Sequence, residues 1–228
     1  MNEELRSIPE RILGLARAAL TQANQHAVFM DPGSEHWPLM SVLNTAHAGE
    51  LFLKAIIATE HPLLIFKDIV TLDDKNADEL DIQRLLARGR THDFEKLPQV
   101  LWATTGLRIP NPECYERLRQ ARNAIQHFCP PDVCDLSALS LEFIYTILDP
   151  LIACRFGIYA IEHHEDHNLS YDYVVSCLLR RELRFSIPND FAVTEIDLNE
   201  EIGEASTDYR SWFRGALTSI GKVDLLET

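Results

Sequence analysis

Arg122, Asn123 and His127 are the residues of this chain whose types and order most directly suggest chemistry. They stand in the string Arg122-Asn123-Ala124-Ile125-Gln126-His127, near the end of an amphipathic pattern. A guanidinium can hold a phosphate and stabilise a pentacoordinate transition state, and an imidazole can move protons near neutral pH. Together they suit cleavage of RNA without a metal, the substrate's own 2'-hydroxyl being the attacking group. Five steps of roughly 100° set Arg122 and His127 some 140° apart on an ideal helix, so they flank a groove unless fraying before Pro130 narrows the angle. The negative end of the helix dipole would favour the protonated imidazole, the form a general acid needs. The same residues also suit a plainer role, because arginine and histidine at a helix end often cap carbonyls or face water.

The helix that must carry them starts at Asn111-Pro112-Glu113, which supplies a cap, a proline in the first turn and an acid favoured by the dipole. Tyr115, Leu118, Ala121, Ile125 and Phe128 form its apolar face, and Pro130-Pro131 ends it. Upstream, Ser7 is expected to cap a helix reaching about His26 or Val28, with Glu10 completing a capping box, and Asp31-Pro32-Gly33-Ser34 marks a turn. Residues 38–59 are apolar nearly all round, as in a helix buried in a bundle. One polar stripe, Asn44, His47, Glu50 and Lys54, survives on that helix, and Glu50 to Lys54 has the favourable order for an ion pair. The stripe either locks the helix register through an internal salt bridge or orients Arg122 or His127. In the second case Glu50→Ala would reduce activity more than stability.

Residues 61–90 predict a loop with short helices, and Thr91-His92-Asp93 opens another short helix despite Pro98. Residues 136–167 predict one long helix kinked at Pro150. Residues 171–184 again look helical, 184–187 and 191–194 could pair as a β-hairpin across Pro188-Asn189-Asp190, and 208–217 return to helix. The expected architecture is thus an all-α helical bundle over residues 1–168, followed by a small accessory element of hairpin plus helix over 169–228.

At 228 residues, 46% hydrophobic and 25% charged, the chain can bury a substantial core. Its formal net charge of −14 repels polyphosphates and anionic membranes, so any nucleic-acid contact must be local, within a Debye length of roughly 8 Å. The acidic start MNEELRSIPE lacks the basic and apolar pattern of a secretory leader. Glu50, Lys54, Glu60 and His61 interrupt the best candidate for a membrane span, so no stretch of suitable length and no membrane partner are expected. Five scattered cysteines suit a reducing cytoplasm. His163 and His167 could reach one ion, but no third ligand presents itself, and Cys129 and Cys134 straddle two prolines without zinc-knuckle spacing. No metal site is therefore assigned. Phosphate-binding glycine loops, nucleophile elbows and His-Glu-x-x-His strings are missing from the sequence, and no cofactor is expected.

Three strings together resemble the HEPN family (higher eukaryotes and prokaryotes nucleotide-binding): the run from Ala46 to Ala55, the run from His92 to Leu97, and Arg122-Asn123-x-x-x-His127-Phe128. The resemblance covers roughly residues 5 to 165. It implies a helical bundle that commonly dimerises, bringing the arginine–histidine motifs of two subunits into one cleft, and in many members a metal-independent endoribonuclease. By the resemblance, Arg122 and His127 match the motif's arginine and histidine, Asn123 matches the polar residue after the arginine, and Glu50 and Lys54 match polar positions of the earlier helix. His47 stands beside them on the same stripe. Other members have lost catalysis and bind nucleotides or neutralise toxins. The expectation is therefore a cytoplasmic homodimer that cuts RNA, in a toxin–antitoxin or antiviral setting. Its rival is a noncatalytic nucleotide-binding or interaction module, such as an antitoxin or sensor partner.

Overall fold

The computed structural model describes residues 3–29, 33–67, 82–127, 135–164 and 170–226. Among them the chain is all-α: its elements are helices and helical turns, with no strand. One isolated antiparallel bridge joins Phe66 to Thr91. The chain divides into two compact units, Met1–Arg17 with His47–Ile109, and Ala18–Ala46 with Pro110–Thr228.

The first unit holds α1 (Glu3–Arg6), the start of α2 (Ile8–Val28), most of α3 (Trp37–Glu60), a 3-10 turn at Pro62–Ile65, α4 (Ile82–Arg88), a second 3-10 turn at Phe94–Lys96, and α5 (Leu97–Thr105). Ser7 does not cap α2 as its position suggests. Its hydroxyl instead donates 2.9 Å to the Glu4 carbonyl and closes α1. The long α3 buries Phe52, Leu53, Ile56 and Ile57, in keeping with its apolar sequence. Pro98 is tolerated because it lies in the first turn of α5, where no intrahelical donor is required. Gly106, at φ 76°, ends that helix by donating its N–H to the Trp102 carbonyl.

Around the bridge, Lys67 N–H donates to the Arg90 carbonyl at 2.8 Å and His92 N–H to the Ile65 carbonyl at 2.9 Å. Gly89 lies tight behind it: a Cβ there would come within 2.4 Å of the Leu85 carbonyl oxygen and 2.7 Å of the Phe66 ring. Gly89→Ala is therefore expected to destabilise the protein by about 1–3 kcal/mol, the usual cost of overpacking, as read from urea denaturation midpoints.

In the second unit lie α6 (Pro112–His127) and a long helix made of α7 (Leu136–Phe143), a π turn at Ile144–Leu148, and α8 (Asp149–Phe156). Pro150 sits in the first turn of α8. A proline inside a continuous helix removes a donor and clashes with the carbonyl four residues back, and the wider π turn ahead of it absorbs that conflict. The helix stops at Gly157, in the left-handed region at φ 63°, rather than continuing to residue 167. The 21-residue helix Leu136–Phe156 contains an 18-residue window with a mean hydropathy of 1.5, and by length and composition alone it could cross a membrane. This overturns the expectation that no stretch approaches that length, because the interruptions at residues 50–61 concern a different helix. Here 67% of the apolar window is buried inside the protein.

A 3-10 turn at Ala160–Glu162 precedes α9 (Asp172–Arg180), α10 (Leu198–Glu201) and α11 (Thr207–Ser219). The expected hairpin does not form: residues 184–187 and 191–194 contain no strand. Several backbone donors of this stretch go to side chains instead. Asp149 Oδ2 accepts from Ser186 N–H at 2.5 Å, the Tyr171 hydroxyl from Ala192 N–H at 2.8 Å, and Asp172 Oδ2 from Thr194 N–H at 2.7 Å and Glu195 N–H at 2.5 Å. Phe185 and Phe191 turn inward, where Phe185 meets Trp212 and Phe213. Apolar burial of these rings outweighs strand pairing. Residues 170–226 fall in the same compact unit as α6 to α8.

Candidate functional site

The candidate site is built on α6. Asn111 Oδ1 accepts from Cys114 N–H at 3.1 Å, so the cap anticipated at Asn111 is in place. Cys114, Tyr115, Leu118 and Ala121 are buried and define the core-facing side. The helix remains α-helical through His127, so no fraying narrows the separation of Arg122 and His127 up to that point. Phe128, Cys129, Pro130, Pro131 and Cys134 lie outside the described residues.

On the helical wheel, Arg122 falls roughly 20° from Tyr115, at the margin of the buried sector, and it is half-buried. His127 is exposed on the outer side. Asn123 and His127, four residues apart, differ by only about 40° and share that outer side. The Arg122 guanidinium bridges the gap by donating from Nη1 to Asn123 Oδ1 at 3.2 Å. A group rooted beside the core is thereby drawn toward the face that carries the imidazole.

Two other arginines of α6 are engaged with carboxylates. Arg117 donates to Glu142 at 2.5 Å, and Arg119 grips Glu116 at 2.6 and 2.8 Å. Arg122 makes no ion pair among the described residues. A guanidinium tethered through one nitrogen to a neutral amide keeps its charge and its remaining donors for an anion.

The second set of anticipated residues belongs to the first unit. Lys54, only 6% exposed, donates to Glu50 Oε1 at 2.5 Å and to Thr91 Oγ1 at 2.9 Å. Of the two readings of the polar stripe, the internal salt bridge is thus present, and it fixes α3 to the segment beginning at Thr91. His47 is exposed, while Asn44 pairs with His26 Nδ1 at 3.2 Å in the second unit. The stripe is not one network. Glu50→Ala would leave the Lys54 ammonium largely buried with only a hydroxyl, and is expected to cost about 1–3 kcal/mol in a denaturation experiment.

Other groups with chemical capacity are occupied or closed off. Burial and the neighbouring Glu142 push the Cys114 thiol up to about 12, which leaves it un-ionised at neutral pH. Burial also raises the Asp149 carboxyl to about 6, but both its oxygens accept backbone N–H groups, from Ala160 and Ser186, and the residue is fully buried. Sequence spacing gave no sign of this carboxylate, since Asp149 stands inside an apolar run beside a proline. Among the described residues no group of three histidine, cysteine or acidic side chains could hold a metal ion. His164 is buried and His163 half-buried, while His167 lies outside the described residues.

No family model, curated protein or solved structure matches this chain. Its site has to be judged on local geometry and on chemistry.

Proposed function

We propose that the protein is a metal-independent endoribonuclease of HEPN type, acting as a cytoplasmic homodimer whose α6 helices present Arg122, Asn123 and His127 to RNA. The observation that carries this reading is the Arg122 to Asn123 hydrogen bond, which turns a guanidinium with no ion pair among the described residues toward the side of α6 that carries His127. The substrate 2'-hydroxyl attacks the adjacent phosphorus, and the bond to the 5'-oxygen breaks. Arg122 offsets the charge that builds on the phosphoryl oxygens. His127 takes the hydroxyl proton or donates one to the leaving oxygen, and a second copy in the dimer supplies the complementary role. Asn123 spends its carbonyl oxygen on Arg122 and keeps its NH2 for a phosphate oxygen. The products are a 2',3'-cyclic phosphate and a 5'-hydroxyl. A toxin–antitoxin or antiviral role, with an antitoxin as protein partner, follows from the resemblance rather than from this geometry.

A second reading, a noncatalytic nucleotide-binding or interaction module, is favoured by the net charge of −14, which works against RNA at long range. End-labelled single-stranded RNA incubated with purified protein in excess chelator separates the two. Cleavage that persists in chelator, yields cyclic-phosphate ends and disappears in both Arg122→Ala and His127→Ala supports the nuclease. Equal activity in the wild type and both variants, or none beside a stable complex with nucleotide or protein, removes it.

A further inference from the structure

The first unit contains a cluster of charge that the proposed chemistry does not use. It surrounds the Phe66–Thr91 bridge, which pairs the end of the Pro62–Ile65 turn with the segment entering the Phe94–Lys96 turn. Two lysines bind the residues on either side of His92. Lys54 reaches Thr91 from α3 with Glu50 as its counterion, and Lys67, beyond the turn, pairs with Asp93. His92 stands between Thr91 and Asp93 in the chain, half-buried, with its own N–H donated to the Ile65 carbonyl. Two carboxylates, Glu50 and Asp93, balance two ammonium groups. A protonated His92 would be a third cation within electrostatic reach of both lysines, with Asp93 already committed to Lys67.

We propose that this bridge is an acid-sensitive latch: proton uptake by His92 sets it against Lys54 and Lys67 and releases the 90–93 segment from the 62–67 turn. Burial, then the Lys67 and Lys54 charges, hold the closed-state imidazole below its ordinary value, outweighing Asp93 and the Leu64 hydrogen bond. Above that ordinary value neither the closed nor the open form carries the proton, and the latch has its full stability. As pH falls below it, the open form binds the proton first and the closed form loses ground. The amides that report opening are those of Lys67 and His92, since both donate across the bridge.

Amide hydrogen exchange of the full chain, corrected for intrinsic pH dependence and compared at pH 7.5 and 5.5, tests this directly. Protection of the Lys67 and His92 amides is expected to fall by about threefold or more at the lower pH, while amides within α3 keep theirs. In His92→Gln that fall should vanish. Lys67→Gln, which removes one repelling charge and needs no change at His92, brings the closed-form imidazole nearer its ordinary value and should make the fall smaller. The latch is refuted if both amides are equally protected at the two pH values, or if His92→Gln loses protection as the wild type does. It is equally refuted if an NMR titration places the His92 ring at or above the ordinary imidazole value. None of these readouts involves RNA, so failure here and failure of the nuclease reading are distinguishable.

Discussion

His127→Ala should reduce RNA cleavage by about 10²–10⁴-fold, the range associated with a positioned proton-transfer group. The side chain is exposed at the end of α6, so its removal takes no packing from the core and should change stability by less than about 0.5 kcal/mol. That combination separates a catalytic loss from a folding loss. Arg122 stands differently. It is half-buried, and Arg122→Ala removes an apolar stem as well as a charge. Arg122→Lys is the sharper variant, because it preserves charge yet cannot both hold Asn123 and present a planar fork to phosphate. It should lose most of the activity and little stability. Asn123→Ala frees the guanidinium without deleting it, and a smaller loss, on the order of tenfold, is expected from misplacement alone. Single-turnover rates paired with circular dichroism melts check all of these. Activity of His127→Ala within about threefold of wild type would remove the imidazole from the mechanism.

The largest stability effect is expected at Asp149, which no part of the proposed chemistry uses. Its Oδ1 accepts from Ala160 N–H at 2.9 Å and its Oδ2 from Ser186 N–H at 2.5 Å. Asp149→Ala leaves both donors facing a cavity. Each unsatisfied buried donor costs roughly 1–3 kcal/mol, so about 2–6 kcal/mol is at stake, offset in part by release of a buried charge. The pH dependence carries a definite sign. Burial pushes the folded carboxyl up to about 6, above the ordinary aspartate value. Stability from this group is therefore complete below the unfolded value and is lost as pH rises through the folded one. The gap between wild type and Asp149→Ala should widen by about 1 kcal/mol when pH is lowered from about 7.5 to about 5. A gap that narrows instead would mean that the two N–H bonds, rather than burial, dominate the carboxyl. Asp149→Asn should not rescue fully, because one of the two amide donors would then meet an NH2.

Helices were legible where apolar period and punctuation agreed. Asn111-Pro112 starts α6 as its sequence suggests, and the all-round apolar run became the buried α3. Charge spacing also foretold the Glu50–Lys54 pair. Prediction failed where side chains took over backbone duties. Alternation in residues 184–194 suggested a hairpin, yet Asp149, Tyr171 and Asp172 capture the amides a second strand would have paired, and nothing local in the sequence marks such distant acceptors. Gly157 ended the last bundle helix early, although the apolar pattern runs on past it. At the site, residue identity and register were readable. What the spacing could not convey was the turn of Arg122 toward Asn123, because a rotamer depends on which partners neighbouring helices withhold or supply.

The side-chain capture of the amides at Ser186, Ala192, Thr194 and Glu195 also bears on self-association. An extended segment with vacant backbone groups is a template onto which another polypeptide can add, the first step toward domain exchange or fibril growth. Here four donors of that stretch are already held by three residues rooted in helices or next to one. An incoming strand would have to displace those acceptors before it could pair with these four amides, which opposes cross-chain pairing at these positions.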